Sequence, residues 1–154
     1  MIESSALAKM VAELLMVVQA FTSYELPETS PRVEFLPQAE LQERACGAPC
    51  QVFGFFPPGD VILLDERLDP LGNEAARGIL LHELVHYMQQ ENGAFPGETG
   101  CQRWRSRELE AFDVQIRWLS ERNAPLYALG RNSRLPMHAC RDEGSGPPGI
   151  RPLG

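Results

Sequence analysis

At 154 residues the chain fits one domain, large enough to bury a core without staples. A hydrophobic share of 44% against 23% charged residues excludes a disordered or fibrous chain. A net charge of −7, with no Lys/Arg cluster to track a phosphate backbone, argues against a nucleic-acid partner.

Residues 7–21 read as an amphipathic helix with Leu7, Val11, Leu14, Leu15, Val18 and Phe21 on one stripe. Lys9, Glu13 and Gln19 interrupt the segment, so no apolar run reaches the roughly 20 residues that a bilayer requires. The segment also lacks the basic start, clean apolar block and small-residue cleavage site of an export signal. The expectation is no membrane span and no signal peptide in this chain. Residues 22–32 contain Pro27 and Pro31 and read as a loop. Residues 33–36 form a short strand, and residues 38–45 a helix that runs into the turn Cys46-Gly47-Ala48-Pro49-Cys50. Residues 51–56 and 61–65 are apolar runs joined by Pro57-Pro58-Gly59-Asp60, the signature of a hairpin.

Asn73 suits the N-cap of a helix carrying Ala75, Ala76, Ile79, Leu80, Leu84, Val85 and Met88, and Gly93 suits its stop. After a Gly/Pro-rich loop at 94–100, a second long helix covers about 103–122, with a shorter one near 125–129. Trp104 and Trp118 read as core. Beyond Cys140 the Gly/Pro-rich tail, residues 141–154, should be flexible, which leaves residues 1–140 as the domain.

The four cysteines, Cys46, Cys50, Cys101 and Cys140, allow three disulfide pairings that sequence does not choose among. A local Cys46–Cys50 staple would imply an oxidising compartment, periplasmic or secreted; four reduced cysteines or a four-cysteine structural zinc site are the alternatives. Localisation and oligomeric state stay open.

The chemistry concentrates on His82-Glu83-Leu84-Val85-His86. Two histidines four apart on a helix project from one face, close enough to share an ion, and neutral imidazole nitrogen suits Zn²⁺. Glu83 lies between them, where it can take a proton from a water whose pKa the ion brings from 15.7 to about 7. The alternative is a helix whose two histidines simply pair with carboxylates. Catalytic zinc usually has three protein ligands and an open fourth position. Tyr87-Met88-Gln89-Gln90-Glu91-Asn92-Gly93 supplies no third histidine, whereas Arg107-Glu108-Leu109-Glu110-Ala111-Phe112-Asp113 supplies two glutamates.

With these residues the chain resembles the gluzincins, zinc metallopeptidases that combine His-Glu-x-x-His with a downstream glutamate. The resemblance spans residues 61–119 and is nearest to short bacterial proteins that share a His-Glu-Leu-Val-His helix and a Glu-Ala-aromatic-x-x-Gln helix. It implies an α+β, zincin-like fold, a small sheet packed on the metal-binding helix and a second, carboxylate-bearing helix. It also implies a Zn²⁺ cofactor and a peptide or protein substrate.

Helix geometry bears on the third ligand. Glu108 shares its face with Ala111, Phe112, Gln115, Ile116 and Leu119, an apolar stripe that should point inward. Glu110 shares a face with Ser106, Arg107, Asp113, Val114 and Arg117, which looks solvated. Glu108 is favoured, and the resemblance agrees, since related gluzincins place an alanine three residues after the ligand, here Ala111. Glu110 stays open, because Asp113 could then orient a ligating histidine.

For the oxyanion that develops during peptide hydrolysis, the candidate donors are His138, Tyr127 and Tyr87. His138 is chosen because gluzincins use a late His or Tyr in that role. The expected arrangement places residues 61–65 near a sheet edge, where an extended peptide adds a strand over the metal. Glu83 is the general base, and His82, His86 and Glu108 hold the ion at a point open to solvent. The alternatives are a noncatalytic zinc-binding or interaction domain on the same scaffold, and a protein without metal.

Overall fold

The computed structural model describes residues 2–48 and 50–124. Their architecture is mixed α+β, with four helices and a three-stranded sheet. Tyr127, His138, Cys140, the short helix expected near 125–129 and the tail at 141–154 lie outside the described residues.

Helix α1, Ile2–Phe21, packs on α3 through Val11, Leu14, Leu15 and Val18, the middle of the expected stripe. Leu7 and Phe21 at its ends are half-buried. Despite Lys9 and Glu13, the window Ser4–Phe21 has the length and apolarity by which a helix could cross a membrane, a property that core helices and export signals share. The exposed face explains why: it is built largely of alanine and serine, which dilute its polarity.

Strand β1, Arg32–Leu36, runs parallel to β3, Val61–Asp65, with Arg32 opposite Val61 and Leu36 opposite Asp65. Between them come α2, Gln38–Ala45, and β2, Gly54–Phe55, which pairs antiparallel with β3. The hairpin is as expected, although its first strand keeps two residues. The sheet order is β1-β3-β2, so β3 is the central strand and not an edge. The sequence shows the hairpin between neighbours β2 and β3. It carries no local signal for the parallel partner that covers the other side of β3, because that pairing closes a crossover through α2. Central placement accounts for the unbroken apolar run: Ile62 and Leu64 face the core with α1, α3 and Phe56, while Leu63 faces Leu41, Ala45, Cys46 and Trp104.

Cys46 and Cys50 form a disulfide directly after α2, and no described cysteine is free. The reduced and four-cysteine zinc readings therefore give way to the local staple, a state compatible with an oxidising compartment.

Helix α3, Glu74–Asn92, begins where the Asn73 side chain accepts from the Ala76 N–H at 2.9 Å. It ends at Gly93, whose φ of 59° is the left-handed conformation that favours glycine. Both boundaries are those read from sequence. Its environment is not. Every residue from 78 to 89 is buried, because α1, the sheet and α4 surround the helix instead of covering one stripe.

Helix α4, Gly100–Glu121, starts three residues earlier than expected and packs antiparallel along α3. Gly78 sits against Leu119, His82 against Gln115 and Gln89 against Arg107. A Cβ on Gly78 would lie 3.1 Å from Leu119 Cδ1, so the absent side chain permits the close approach that brings the two helices' polar groups together. Two residues of α4 depart from the expected faces: Ile116 is 42% exposed and Val114 is buried. The Arg117 guanidinium lies 4.5 Å from the Phe21 ring and Tyr24 bonds Glu110, so the end of α1 and its following loop cover the side taken as solvated. Trp104 and Trp118 are core, as expected.

Candidate metal centre

His82 and His86 are one helical turn apart on α3, and their rings stand 5.0 Å apart at 75°. Across the antiparallel interface α4 delivers Glu108, which is fully buried. Its Oε1 lies 2.9 Å from His82 Nε2 and its Oε2 lies 3.0 Å from His86 Nε2. One ligand atom from each of the three residues falls within 4.8 Å of the others, a group with the spacing to hold a metal ion. Glu110 is not in this group. Its carboxylate accepts from the Tyr24 hydroxyl and from Gln89 Nε2, and Asp113 is exposed and paired with Arg117 at 3.4 Å, so it orients no histidine.

The outer partners of the imidazoles decide where their protons sit. His82 Nδ1 lies 3.0 Å from Gln115 Oε1, and His86 Nδ1 lies 2.9 Å from Gln89 Oε1. An amide oxygen only accepts, so both Nδ1 atoms carry hydrogen, and in the neutral imidazoles both Nε2 lone pairs face Glu108. Acceptors then point at acceptors. Among the described residues His86 Nε2 and Glu108 Oε2 are buried without a hydrogen-bond partner. Such groups are costly to bury, and a cation between His82, His86 and Glu108 would be ligated by all three residues at once. Two imidazoles and a carboxylate are also a donor set that suits zinc.

Without a metal the same crowding must be met by protons. Burial alone would lower the His86 pKa, but the Glu108 carboxylate outweighs it and raises the value to about 9. Burial opposes charge on Glu108 too, yet the two imidazoles hold its carboxyl below the usual range. Glu83 differs: burial, reinforced by the like charge of Glu108, pushes its pKa upward against the pull of both histidines. Its Oε1 is buried with no hydrogen-bond partner among the described residues. Strand β2 forms the wall beside it, where a Cβ on Gly54 would come within 3.0 Å of Glu83 Cγ and 3.2 Å of Oε2.

The site is not open to solvent as expected. His82, Glu83, His86 and Glu108 are all between 0 and 2% exposed, and Phe112 stacks edge-on against His82 at 4.4 Å. A cleft of about 620 Å³ lies elsewhere, lined by Gln38, Gln51, Phe53, Asp65 and Arg67, and none of the four site residues lines it. Tyr87 is spent as an oxyanion candidate, since its hydroxyl donates to the Thr29 carbonyl at 2.9 Å. The sequence reading missed Gln89, Tyr24 and Gly54. Gln89 follows His86 by three positions, the spacing of side chains that meet on a helix, and that signal was available. Tyr24 and Gly54 arrive from other elements, with no local signal.

Compared with protein-family models, curated proteins and solved structures, the chain matches none.

Proposed function

We propose that this chain is a zinc-dependent hydrolase of peptide bonds, a gluzincin-like metallopeptidase on a zincin-like scaffold. The observation that carries the reading is the convergence of His82, His86 and Glu108 beside a buried carboxylate, Glu83, that has an oxygen to spare. When bound, zinc supplies Lewis acidity, polarising a carbonyl and bringing the pKa of water towards 7. His82, His86 and Glu108 hold it. Glu83 takes a proton and returns it to the leaving amine, a role suited to a carboxyl whose pKa is raised. Strand β2, now the edge beside Glu83, replaces β3 as the place where an extended substrate could add by main-chain hydrogen bonds. His138 keeps its proposed part as oxyanion donor. The Cys46–Cys50 disulfide supports a periplasmic or secreted location.

The second reading is a noncatalytic zinc-binding domain, favoured by the near-complete burial of all four residues. Glu83→Gln separates the two. On the peptidase reading it leaves one zinc per chain and abolishes chelator-sensitive cleavage of a broad peptide library. Wild-type protein with full zinc and no cleavage of the library establishes the noncatalytic domain instead.

A further inference from the structure

Gln89 is fully buried and belongs to neither the apolar core nor the ligand set. Its Nε2 donates to the Arg107 carbonyl at 2.9 Å and to Glu110 Oε1 at 3.0 Å. Both partners are pure acceptors, because a backbone carbonyl carries no hydrogen and Glu110 also receives the Tyr24 hydroxyl on the same oxygen. The amide therefore has one orientation. Turning it over would set its oxygen against two acceptor oxygens and its nitrogen against an N–H. With the nitrogen held by α4, the oxygen faces His86 Nδ1 at 2.9 Å, which places the hydrogen on Nδ1 and the lone pair on Nε2.

From this chain of contacts we infer that Glu110 and Tyr24 are positioning residues of the metal centre, acting on His86 through Gln89. The inference rests on the proposed metal site and extends it to residues that do not touch the ion. Tyr24 lies in the loop after α1 and Glu110 lies two residues beyond the ligand Glu108, so the relay joins the loop, α4 and α3 at one imidazole. Burial raises the Tyr24 pKa, and its bond to Glu110 raises it further, which keeps the phenol a donor. The function is to select the nitrogen that meets the metal and to fix the ring's direction, leaving no rotation to be frozen when the ion binds.

The test uses the full-length chain, with Zn²⁺ affinity measured by competition against a chromophoric chelator and the Co²⁺ visible spectrum as reporter of ligand geometry. Loss of an outer partner of this kind weakens metal binding by about 10–100-fold. Gln89→Leu should fall in that range and Glu110→Ala near its lower end, with an altered Co²⁺ spectrum. Glu110→Gln keeps an acceptor oxygen for Gln89 and Tyr24, and should bind and absorb as the wild type does. In the Gln89→Leu background, Glu110→Ala should cause no further loss. If Gln89→Leu does not fold, the contrast between the two Glu110 variants decides alone. Unchanged affinity and spectrum in Glu110→Ala, or a full additional loss in the double variant, overturns the relay while stoichiometric wild-type binding leaves the metal site standing. A wild type that binds neither ion overturns both.

Discussion

Glu108 and Asp65 are both carboxylates with no solvent exposure, set in two regions that treat them in opposite ways. At the end of β3, Asp65 receives the Arg67 N–H at 2.8 Å, the Arg67 Nε and a terminal guanidinium nitrogen at 3.0 and 2.7 Å, and Gln38 Nε2. Its lone pairs are filled by donors, and Gln38 also donates to the Val52 carbonyl, tying α2 to the segment before β2. Around Glu108 the neighbours are the two imidazole Nε2 atoms, and among the described residues Glu108 Oε2, His86 Nε2 and Glu83 Oε1 have no hydrogen-bond partner. A carboxylate that serves the fold arrives with its donors. One that serves a ligand holds lone pairs in reserve, at a cost to the protein without that ligand.

The contrast can be broken most decisively at Glu108. Glu108→Ala should reduce zinc stoichiometry from one per chain towards zero by metal analysis, while above pH 9, where His86 has lost the proton that Glu108 holds on it, the melting point of the chelator-treated protein stays level or rises. A marked fall in that metal-free melting point would make Glu108 a structural residue like Asp65. Asp65→Ala should do the reverse, lowering stability by about 1 kcal/mol in denaturant titration through loss of its hydrogen bonds to half-buried Gln38 and exposed Arg67, with zinc stoichiometry unchanged. Gly78→Val tests the helix contact that aligns the two sides of the site. Forcing a branched side chain against Leu119 should cost about 1–3 kcal/mol and weaken zinc binding, since α4 carries Glu108.

The smallest effect is in the pH dependence, and its sign differs between the two regions. Asp65 is held at about 2 chiefly by its hydrogen bonds to Arg67, against burial, from an ordinary value of 3.8. Its contribution is therefore complete above the unfolded value and lost as pH falls from about 4 to 2. Glu83 is shifted upward, chiefly by burial, so the folded state binds the proton more tightly and its contribution declines as pH climbs above the ordinary 4.5. In chelator, Asp65→Asn should flatten the acid limb of the stability profile and Glu83→Gln the decline above pH 4.5. Identical profiles for the two variants would erase the distinction. The His86 proton adds to the same picture, because its stabilising effect is complete below 6.5 and lost as pH rises through about 9. Zinc needs that imidazole neutral, so apparent zinc affinity by calorimetry should increase over the interval in which the proton leaves.

Much of the site was legible because its information is local. Asn73 and Gly93 bound α3 through caps that involve only a few neighbouring residues. The four-residue spacing of His82 and His86 places them together on any helix, and Glu108 follows from the inward stripe with Ala111, Phe112 and Gln115. Glu110 was harder to read, since its solvated appearance depended on ignoring Tyr24, 86 positions away in the chain.

By itself, then, the sequence determined the helices, the hairpin, the two imidazoles on one helix face and the inward-pointing one of two glutamates, all through periodicity and capping over a few turns. Only the tertiary structure decided that β3 is central, that α3 is buried on every side, that the site is closed, and that Gln89 and Gln115 carry the outer hydrogen bonds of the imidazoles. These depend on crossovers and helix contacts between distant segments. A side chain's proton position is set by whichever acceptor packs against it, and no spacing along the chain encodes that.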